Sequence, residues 1–458
     1  MTMNRYVLYF TLTLVPITVC CSFAQPAPPR SNAELYSIAT RSSAERIERT
    51  IRTLVGFGTR HTLSDTVSTT RGIGAARRWI KEEFETISTN CDRCLDIFYD
   101  RSLEHGGESA RIPRDTWIVN VVAVQRGYRY PNRYVIMSGD IDSRVSSSLN
   151  DTLDSPGAND NASGMAGVLE AARLLTRYRF PTSIVYTGLS GEEQGLFGGK
   201  HLADRARRDG WEIIGVLNND MIGNIEGGDG IIDNRTFRVF SEPTPVTEDD
   251  RTRRRRRFYG GEVDGVSRQL ARYVVALTRQ YIPDLKPVLI YRLDRFGRGG
   301  HHRPFNDAGF PGIRIMEAHE NYTRQHQDVR IENGIAYGDV LEGVDFDYAS
   351  RLTAVNAINL AALAWAPPAP TNVGIAGAVQ PSTRLAWDPI QDADLAGYIV
   401  HWRETTASEW QHNRYVGNVT EYTLENMVID NFLYGVSSVG TNGIESVVVY
   451  PERLIRRP

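Results

Sequence analysis

Four short acidic segments of this chain each follow a predicted strand, and their carboxylates are the side chains most able to do chemistry. They contain Asp140, Asp160, the pair Glu192 and Glu193, and Asp220. Because the strands of an open α/β sheet end at a common edge, these side chains are expected to meet in the crevice above it. Carboxylates that lie together raise one another's pKa unless cations compensate them. The segments therefore predict a site for divalent metal ions and make the chain a candidate hydrolase.

Hydrolysis would use such a site in a definite way. Two divalent ions about 3.5–4 Å apart, bridged by one carboxylate, polarise a carbonyl group and supply hydroxide near neutral pH. A further carboxylate must take the proton from the water and pass it to the leaving amine. The consecutive residues Glu192 and Glu193 suit this division, with one side chain on a metal and the other on the water. Taken singly, each carboxylate could equally cap a helix or lie in a turn; their joint order favours the metal site.

Strands that alternate with helices must position these segments. Periodicity predicts strands at 118–124, 134–137, 183–189, 213–217, 287–291 and 312–316, and helices at 73–87, 163–175, 196–207, 263–280 and 348–365. This alternation is typical of an α/β fold with a mixed, mostly parallel sheet and helices on both faces. The arginine-rich run 251–257 is expected to be a solvated surface loop.

The pattern of apolar residues along the chain changes after a Pro-rich linker at 367–370. Across 371–458, short runs that alternate with a period of two residues replace helical periodicity. The pattern of Trp387, Tyr398, Trp402 and Tyr434 resembles that of a fibronectin type III domain, which implies a small all-β sandwich. The partner of this domain is not indicated.

The N-terminus predicts export. Arg5 precedes an apolar run from Tyr6 to Val19, and small residues at 22–24 offer a cleavage point, so 1–24 is expected to be a signal peptide. The run is shorter than the membrane span of about 20 residues, so no stable span is expected. A periplasmic or secreted protein is favoured over a lipoprotein. Residues 25–40 are expected to be a flexible leader and 41–366 the catalytic domain.

Two cysteines remain once the signal peptide is removed, Cys91 and Cys94. In an oxidising compartment a Cys-x-x-Cys pair most often closes a small local disulfide. The formal net charge of -3 gives no reason to expect nucleic acid as a partner.

The chain resembles the co-catalytic zinc aminopeptidases, metallopeptidase family twenty-eight, most specifically in Pro156–Gly164 and Glu192–Leu196. The resemblance implies a phosphorylase/hydrolase-like α/β domain with two metal ions, expected to be zinc. It implies that Asp160 bridges the ions, that Glu193 and His326 complete one site, and that Asp220 belongs to the other. Glu192 would be the general base.

One departure from the family concerns the first ligand, which is usually a histidine and is here Asp140. The second site would then hold only oxygen ligands, which opens it to manganese, magnesium or calcium. Asp142, His302 and Asp328 are candidates for supporting positions around the ligands, with Asp328 expected to fix the tautomer of His326.

These features predict an exported aminopeptidase that hydrolyses peptides with a free N-terminus. Two alternatives on the same fold are a carboxypeptidase and a glutaminyl cyclase that needs only one metal. A third alternative, from another class, is a metal-binding adhesion module without catalysis.

Overall fold

A computed structural model describes residues 27–455, so the predicted signal peptide lies outside the described residues. The largest sheet of this part of the chain has eight strands, in the order β1-β2-β4-β3-β5-β8-β6-β7. Its strands are β1 Leu95–Glu104, β2 Thr116–Gln125, β3 Tyr130–Asp140, β4 Thr182–Leu189, β5 Glu212–Asn219, β6 Thr236–Ser241, β7 Lys286–Ile290 and β8 Gly312–Glu317. The four central strands β4, β3, β5 and β8 run parallel, whereas β1, β2 and the β6–β8 pair are antiparallel. The predicted mixed, mostly parallel sheet is confirmed.

Helices cover both faces of this sheet. They are α1 Ala33–Ala39, α2 Ala44–Gly56, α3 Gly72–Thr89, α4 Ala162–Leu175, α5 Glu192–Gly195, α6 Phe197–Arg208, α7 Asp250–Tyr259, α8 Val266–Tyr281, α9 His302–Asp307 and α10 Phe346–Trp365. Successive residues of one strand pack on opposite faces, as the pleat requires. Val135 and Met137 of β3 lie in the core shared with α4 and α10, whereas Ile136 packs with Leu202 of α6 on the other face.

Three segments differ from the sequence-based expectation. The predicted flexible leader contains α1, whose Leu35 and Ile38 are buried in the main core, and this apolar pair ties the segment down. The predicted loop at 251–257 is the exposed helix α7, whose N-terminus is capped by Asp249. Strands β1 and β6 were not predicted, because polar residues interrupt both runs.

The C-terminal part of the described chain forms two small sheets with a core of their own. One contains β11 Gly374–Ala376, β12 Thr383–Ala386, β15 Glu421–Leu424 and β17 Arg453–Leu454; the other contains β13 Leu395–Glu404, β14 His412–Gly417 and β16 Phe432–Gly440. Trp387, Tyr398 and Tyr434 are buried between them. The small β domain is therefore present, and its assignment to the fibronectin type III class stays a prediction. A separate short hairpin pairs β9 Arg330–Glu332 with β10 Ile335–Tyr337.

Two further expectations bear on export. A disulfide joins Cys91 to Cys94, directly before β1. Among the described residues, every helix is too short or too polar to cross a membrane.

Candidate metal centre and active site

The acidic segments meet at one edge of the sheet because the central strands are parallel. Asp140 is the last residue of β3, Glu192 follows the end of β4 by three residues, and Asp220 directly follows β5. Asp160 lies just before α4, which Asn161 caps by accepting a hydrogen bond from the Gly164 amide. The C-terminal ends of parallel strands are where open α/β sheets bind ligands.

Three of the predicted ligands form a tight cluster. His326 Nε2 lies 3.1 Å from Asp160 Oδ2 and 3.0 Å from Glu193 Oε1. One ligand atom from each of the three residues lies within 4.8 Å of the other two. One imidazole nitrogen and two carboxylate oxygens, with a position left for water or substrate, are a ligand set typical of catalytic zinc. The described residues therefore fit one metal ion at this place.

His326 is held in an unusual backbone conformation, with a φ of 54°. Residues other than glycine rarely adopt this left-handed region, and those that do are often found at functional sites. The turn directs the imidazole at the two carboxylates. Burial alone would lower the pKa of His326, but the Glu193 and Asp160 carboxylates outweigh burial and raise it to about 9.

The carboxylates of the site differ in their charge preference. Burial favours the neutral form of Glu193 and Asp160, but His326 outweighs burial and lowers the pKa of both. Glu192 has no such partner, so burial and the neighbouring carboxylates, Asp220 first, raise its pKa well above the usual value. Burial also raises the pKa of Asp220, to about 8. A carboxyl group with a raised pKa beside a metal site is suited to accept a proton from water and return it.

Asp142 positions the Glu192–Glu193 turn. Its carboxylate accepts hydrogen bonds from the amide of Glu193 at 3.0 Å, from the amide of Glu192 at 3.3 Å and from the Thr62 hydroxyl at 3.0 Å. These amides are unpaired donors at the start of α5, so the carboxylate acts as a cap from a distant loop. Gly191 begins the turn with a φ of 73°, a conformation that glycine adopts without strain.

The other predicted ligands lie beside the cluster with different partners. Asp140 is buried, and its oxygens contact His301 Nδ1 and Asn161 Nδ2, each at 2.6 Å. Asp220 Oδ2 lies 2.8 Å from a guanidinium nitrogen of Arg314. Asp220 and Glu192 line the same cavity as the three-ligand cluster. Of the five predicted ligands, the structure thus brings three into one coordination-sized group.

The supporting residues are partly different from those expected. Asp328 was expected to contact His326 and fix its tautomer. In the structure Asp328 Oδ1 instead accepts a hydrogen bond from the Ser146 amide. His302 Nε2 bonds the Leu293 carbonyl at 2.8 Å and lies 3.5 Å from Asp294. It therefore reaches the site only through Asp294, which pairs with Arg314.

Sequence reasoning missed two residues whose side chains contact the side chains of the three-ligand cluster. Arg144 donates to Glu193 Oε2 and contacts His326 Nδ1, each at 2.7 Å. Gln325 donates to Asp160 Oδ2 at 3.0 Å. Arg144 follows Asp142 by two residues, and Gln325 precedes His326. Closeness to a predicted ligand is the only signal that could have indicated them.

The cluster opens into a cavity of about 780 Å³. Its walls carry both signs of charge, and its cationic residues are Arg111, Arg144, Lys200, Arg207, Arg295, Arg298 and Arg303. Several of these are paired; Arg295 and Arg298, for example, both contact Glu320. A cavity of this size holds a small ligand or one end of a peptide.

Comparison with known proteins identifies the class to which this fold and site belong. The profile of peptidase family M28 matches residues 120–333, a range that contains Asp140, Asp160, Glu192, Glu193, Asp220 and His326. A probable zinc metalloprotease of Leptosphaeria maculans is 42% identical over 428 residues, 93% of this chain and 98% of the relative. A probable zinc metalloprotease of Pyrenophora tritici-repentis is 41% identical over 429 residues, 93% of this chain and 88% of the relative. The chain belongs to peptidase family M28.

Solved structures agree on the fold. The LapA aminopeptidase of Legionella pneumophila superposes with a TM-score of 0.52 at 18% identity, covering 74% of this chain and 77% of the other. LapB from Legionella pneumophila gives a TM-score of 0.51 at 17% identity, covering 74% and 76%. At this identity the likeness concerns the fold alone.

Proposed function

We propose that this chain is an exported, zinc-dependent aminopeptidase. The observation that carries the proposal is the cluster of Asp160, Glu193 and His326 beside Glu192 in one cavity. Membership of a peptidase family makes peptides the substrate class. The zinc assignment is supported by the ligand types and by the zinc metalloproteases among the relatives.

The residues divide the reaction between them. Asp160, Glu193 and His326 would hold zinc, which would supply polarisation of the scissile carbonyl and a lowered pKa of water. The carboxylate of Glu192, which lines the same cavity as the three ligands, would take the proton from the attacking water. The same carboxyl group then returns the proton to the departing amine, so no proton has to come from solvent. Asp142 holds Glu192 in place through the amides of the turn.

A free N-terminus would bind next to Asp220. The Oδ2 atom of Asp220 faces Arg314, whereas the Oδ1 atom of Asp220 takes part in none of the hydrogen bonds found among residues 27–455. Asp220 lines the cavity together with Glu192 and Glu193. An ammonium group placed there would donate a hydrogen bond to the free Oδ1 atom and share the carboxylate with Arg314. This pairing supports the choice of an aminopeptidase over a carboxypeptidase.

The direct test compares blocked and free substrates. We expect hydrolysis of aminoacyl chromogenic substrates and of carboxy-amidated peptides, and its loss on N-acetylation or after treatment with a chelator. Restoration by zinc is expected. Equal hydrolysis of N-acetylated and free peptides would contradict the assignment, and cleavage that requires a free carboxyl end would indicate a carboxypeptidase.

Glutaminyl cyclization is the second candidate, and the presence of only one three-ligand cluster among the described residues favours it. A peptide that begins with glutamine distinguishes the two reactions. Release of ammonia with an intact peptide chain would indicate cyclization, whereas release of free glutamine would indicate an aminopeptidase. The adhesion-module alternative would give neither product.

Export is part of the proposal and has its own test. The apolar N-terminal segment and the small residues at 22–24 support a signal peptide cut before Gln25. N-terminal sequencing of the protein recovered outside the cytoplasm should begin at Gln25. A protein that retains Met1 in the cytoplasm would contradict export. The C-terminal sheets are proposed to be a fibronectin type III-like domain, supported by their two-sheet arrangement and separate core.

A further inference from the structure

The second half of the acidic site is already paired within the protein. The resemblance implies a second ion held by Asp140, Asp160 and Asp220. In the structure both oxygens of Asp140 are engaged, one by His301 Nδ1 and the other by Asn161 Nδ2, each at 2.6 Å. Asp140 and His301 are both buried. An ion bound by Asp140 would have to share an oxygen with one of these two short contacts.

A cation of the protein itself lies against Asp220. Arg314 belongs to β8, where the flanking residues Ile313 and Ile315 are apolar, and its side chain is fully buried. One terminal nitrogen lies 2.8 Å from Asp220 Oδ2, and Nε donates to the main-chain carbonyl of Asp220. The guanidinium therefore contacts the side chain and the backbone of the same predicted ligand.

The second terminal nitrogen of the Arg314 guanidinium is also held by several partners. This nitrogen contacts both oxygens of Asp294, at 3.1 and 3.0 Å, and donates to the Gly299 carbonyl at 2.7 Å. A rigid planar group that is bonded in this way is hard to displace, and it is always charged. Removing it from Asp220 would leave a guanidinium buried beside Asp294 alone, at a large desolvation cost.

A divalent ion at this place would meet unfavourable conditions. It would lie close to the fixed positive charge of Arg314, whose repulsion would oppose binding of the ion even at the free Oδ1 atom of Asp220. At Asp140 the ion would have to approach oxygens that already accept short contacts from His301 and Asn161. The residues present therefore do not fit a second metal ion, although they do fit the first.

We propose that the Arg314 guanidinium takes the place of the second cation, so that the protein holds one metal ion, at Asp160, Glu193 and His326. Arg314 is then a positioning residue. It compensates the negative charge of Asp220 and orients the free Oδ1 atom of Asp220 toward the cavity. Asp140 and His301 serve as a buried hydrogen-bonded pair rather than as ligands. The part of the proposal that concerns substrate binding rests on the proposed function, whereas the metal count does not.

The test is the metal content of the full-length wild-type protein, measured by elemental analysis after dialysis against excess zinc and then against metal-free buffer. One zinc per chain is expected. Two zinc ions per chain would overturn the proposal. The measurement is repeated with excess manganese, because an all-oxygen site would accept that ion. We expect no second bound ion. One manganese ion bound per chain in addition to the zinc would also overturn the proposal.

Variants test the role of the arginine itself. Asp140→His restores the histidine usual in the family but leaves Arg314 in place, and we expect it to bind one zinc. Asp140→His combined with Arg314→Met removes the competing charge, and we expect a second zinc. A second zinc in Asp140→His alone would overturn the proposal. If the double variant fails to fold, the wild-type and Asp140→His measurements still decide.

The outcome can be separated from that of the proposed function. One zinc per chain without hydrolysis of any free peptide would leave the assignment of Arg314 standing and remove the aminopeptidase. Two zinc ions per chain together with hydrolysis of free peptides would remove the assignment of Arg314 and leave the aminopeptidase standing.

Discussion

At the scale of single residues, the site places two adjacent glutamates in different surroundings. Glu193 faces His326 and is held in the charged form, whereas Glu192 lacks a cationic partner and has a raised pKa. The difference arises because the turn points the two side chains into different surroundings. A metal ligand must be charged, and a general base must be able to exchange a proton. The surroundings therefore match the roles proposed for Glu193 as a ligand and for Glu192 as the base.

We therefore expect Glu192→Gln to lower turnover by about 10²–10⁴-fold, the usual contribution of a general base, while zinc stays bound. Asp204→Asn is the matched control, because Asp204 lines the same cavity from α6 but belongs to neither the ligand cluster nor the turn. It should stay near wild-type activity. Steady-state kinetics and zinc content check both variants, and full turnover by Glu192→Gln would contradict the assignment of the base.

His326 gives a second prediction at this scale. Glu193 and Asp160 raise the pKa of His326 to about 9 in the metal-free protein, and Arg144 donates to Nδ1, so the imidazole carries its proton on Nε2 between the two carboxylates. Zinc must displace that proton, and its affinity should rise with pH until about pH 9. Calorimetric titration in buffers of different ionisation enthalpy should detect about one proton released per zinc at neutral pH.

Asp328→Asn is the control for this measurement, because Asp328 contacts Ser146 rather than His326. It should release the same number of protons as the wild type. Zinc binding without proton release at neutral pH would contradict the assignment of a proton to Nε2 of His326.

At the scale of elements, the loop after β3 supports the loop after β4. Asp142 accepts from the amides of Glu192 and Glu193, so it fixes the residues that carry the base and one ligand. We expect Asp142→Ala to reduce kcat by about 10–100-fold, because a shift of about 1 Å in a catalytic group has an effect of this size. Zinc affinity should fall as well.

Asp233→Ala is a matched control for the loss of a carboxylate that caps a turn. Asp233 accepts from the amides of Arg235 and Thr236 at the start of β6, outside the cavity. It should leave kcat and zinc affinity close to wild type. An unchanged kcat in Asp142→Ala would show that the turn keeps its position without the carboxylate.

Much of this layout could be predicted because it depends on strand ends. Asp140, Asp160, Glu193 and Asp220 follow apolar runs or precede a glycine-rich helix start, and such patterns are visible in a sequence. The pairing of Arg314 could not be predicted, because its partners lie 94 and 20 residues away in the chain. An arginine between isoleucines of a buried strand was nevertheless a signal, since such a residue needs a carboxylate partner.

Local spacing misled the prediction in other places. Asp328 follows His326 by two residues, yet the left-handed turn at His326 directs the ring to Arg144 instead. The run 251–257 has little apolar character, but the Asp249 cap and the helix propensity of arginine favour α7. Apolar runs, by contrast, correctly predicted the central strands, which are buried on both faces.

At the scale of the whole molecule, the C-terminal domain packs on the catalytic domain through buried charges. Arg403 of β13 donates two hydrogen bonds to Asp264, at 2.9 and 2.8 Å, and both side chains are buried. Arg272 of α8 contacts the same carboxylate at 2.7 Å and also donates to the Ser408 carbonyl. The domain is therefore part of the folded unit of the described chain.

Arg403→Met should destabilise the protein by about 3 kcal/mol, because it leaves Asp264 buried with one guanidinium partner instead of two. Arg384→Met is the matched control, since Arg384 pairs with Glu421 on the exposed surface of the same domain. Its loss should cost less than about 1 kcal/mol. Urea unfolding of both variants gives the comparison, and equal stabilities would contradict a structural role for the buried contact.

The central claim is that His326 completes a zinc site on which hydrolysis depends. Zinc content and turnover, measured together on His326→Ala and on His319→Ala, test it most directly. His319 lies near Asp229 and Asp233, outside the cluster, so its variant should keep both zinc and activity. We predict that His326→Ala loses bound zinc and hydrolysis together; a His326→Ala protein with full zinc and full turnover would contradict the account.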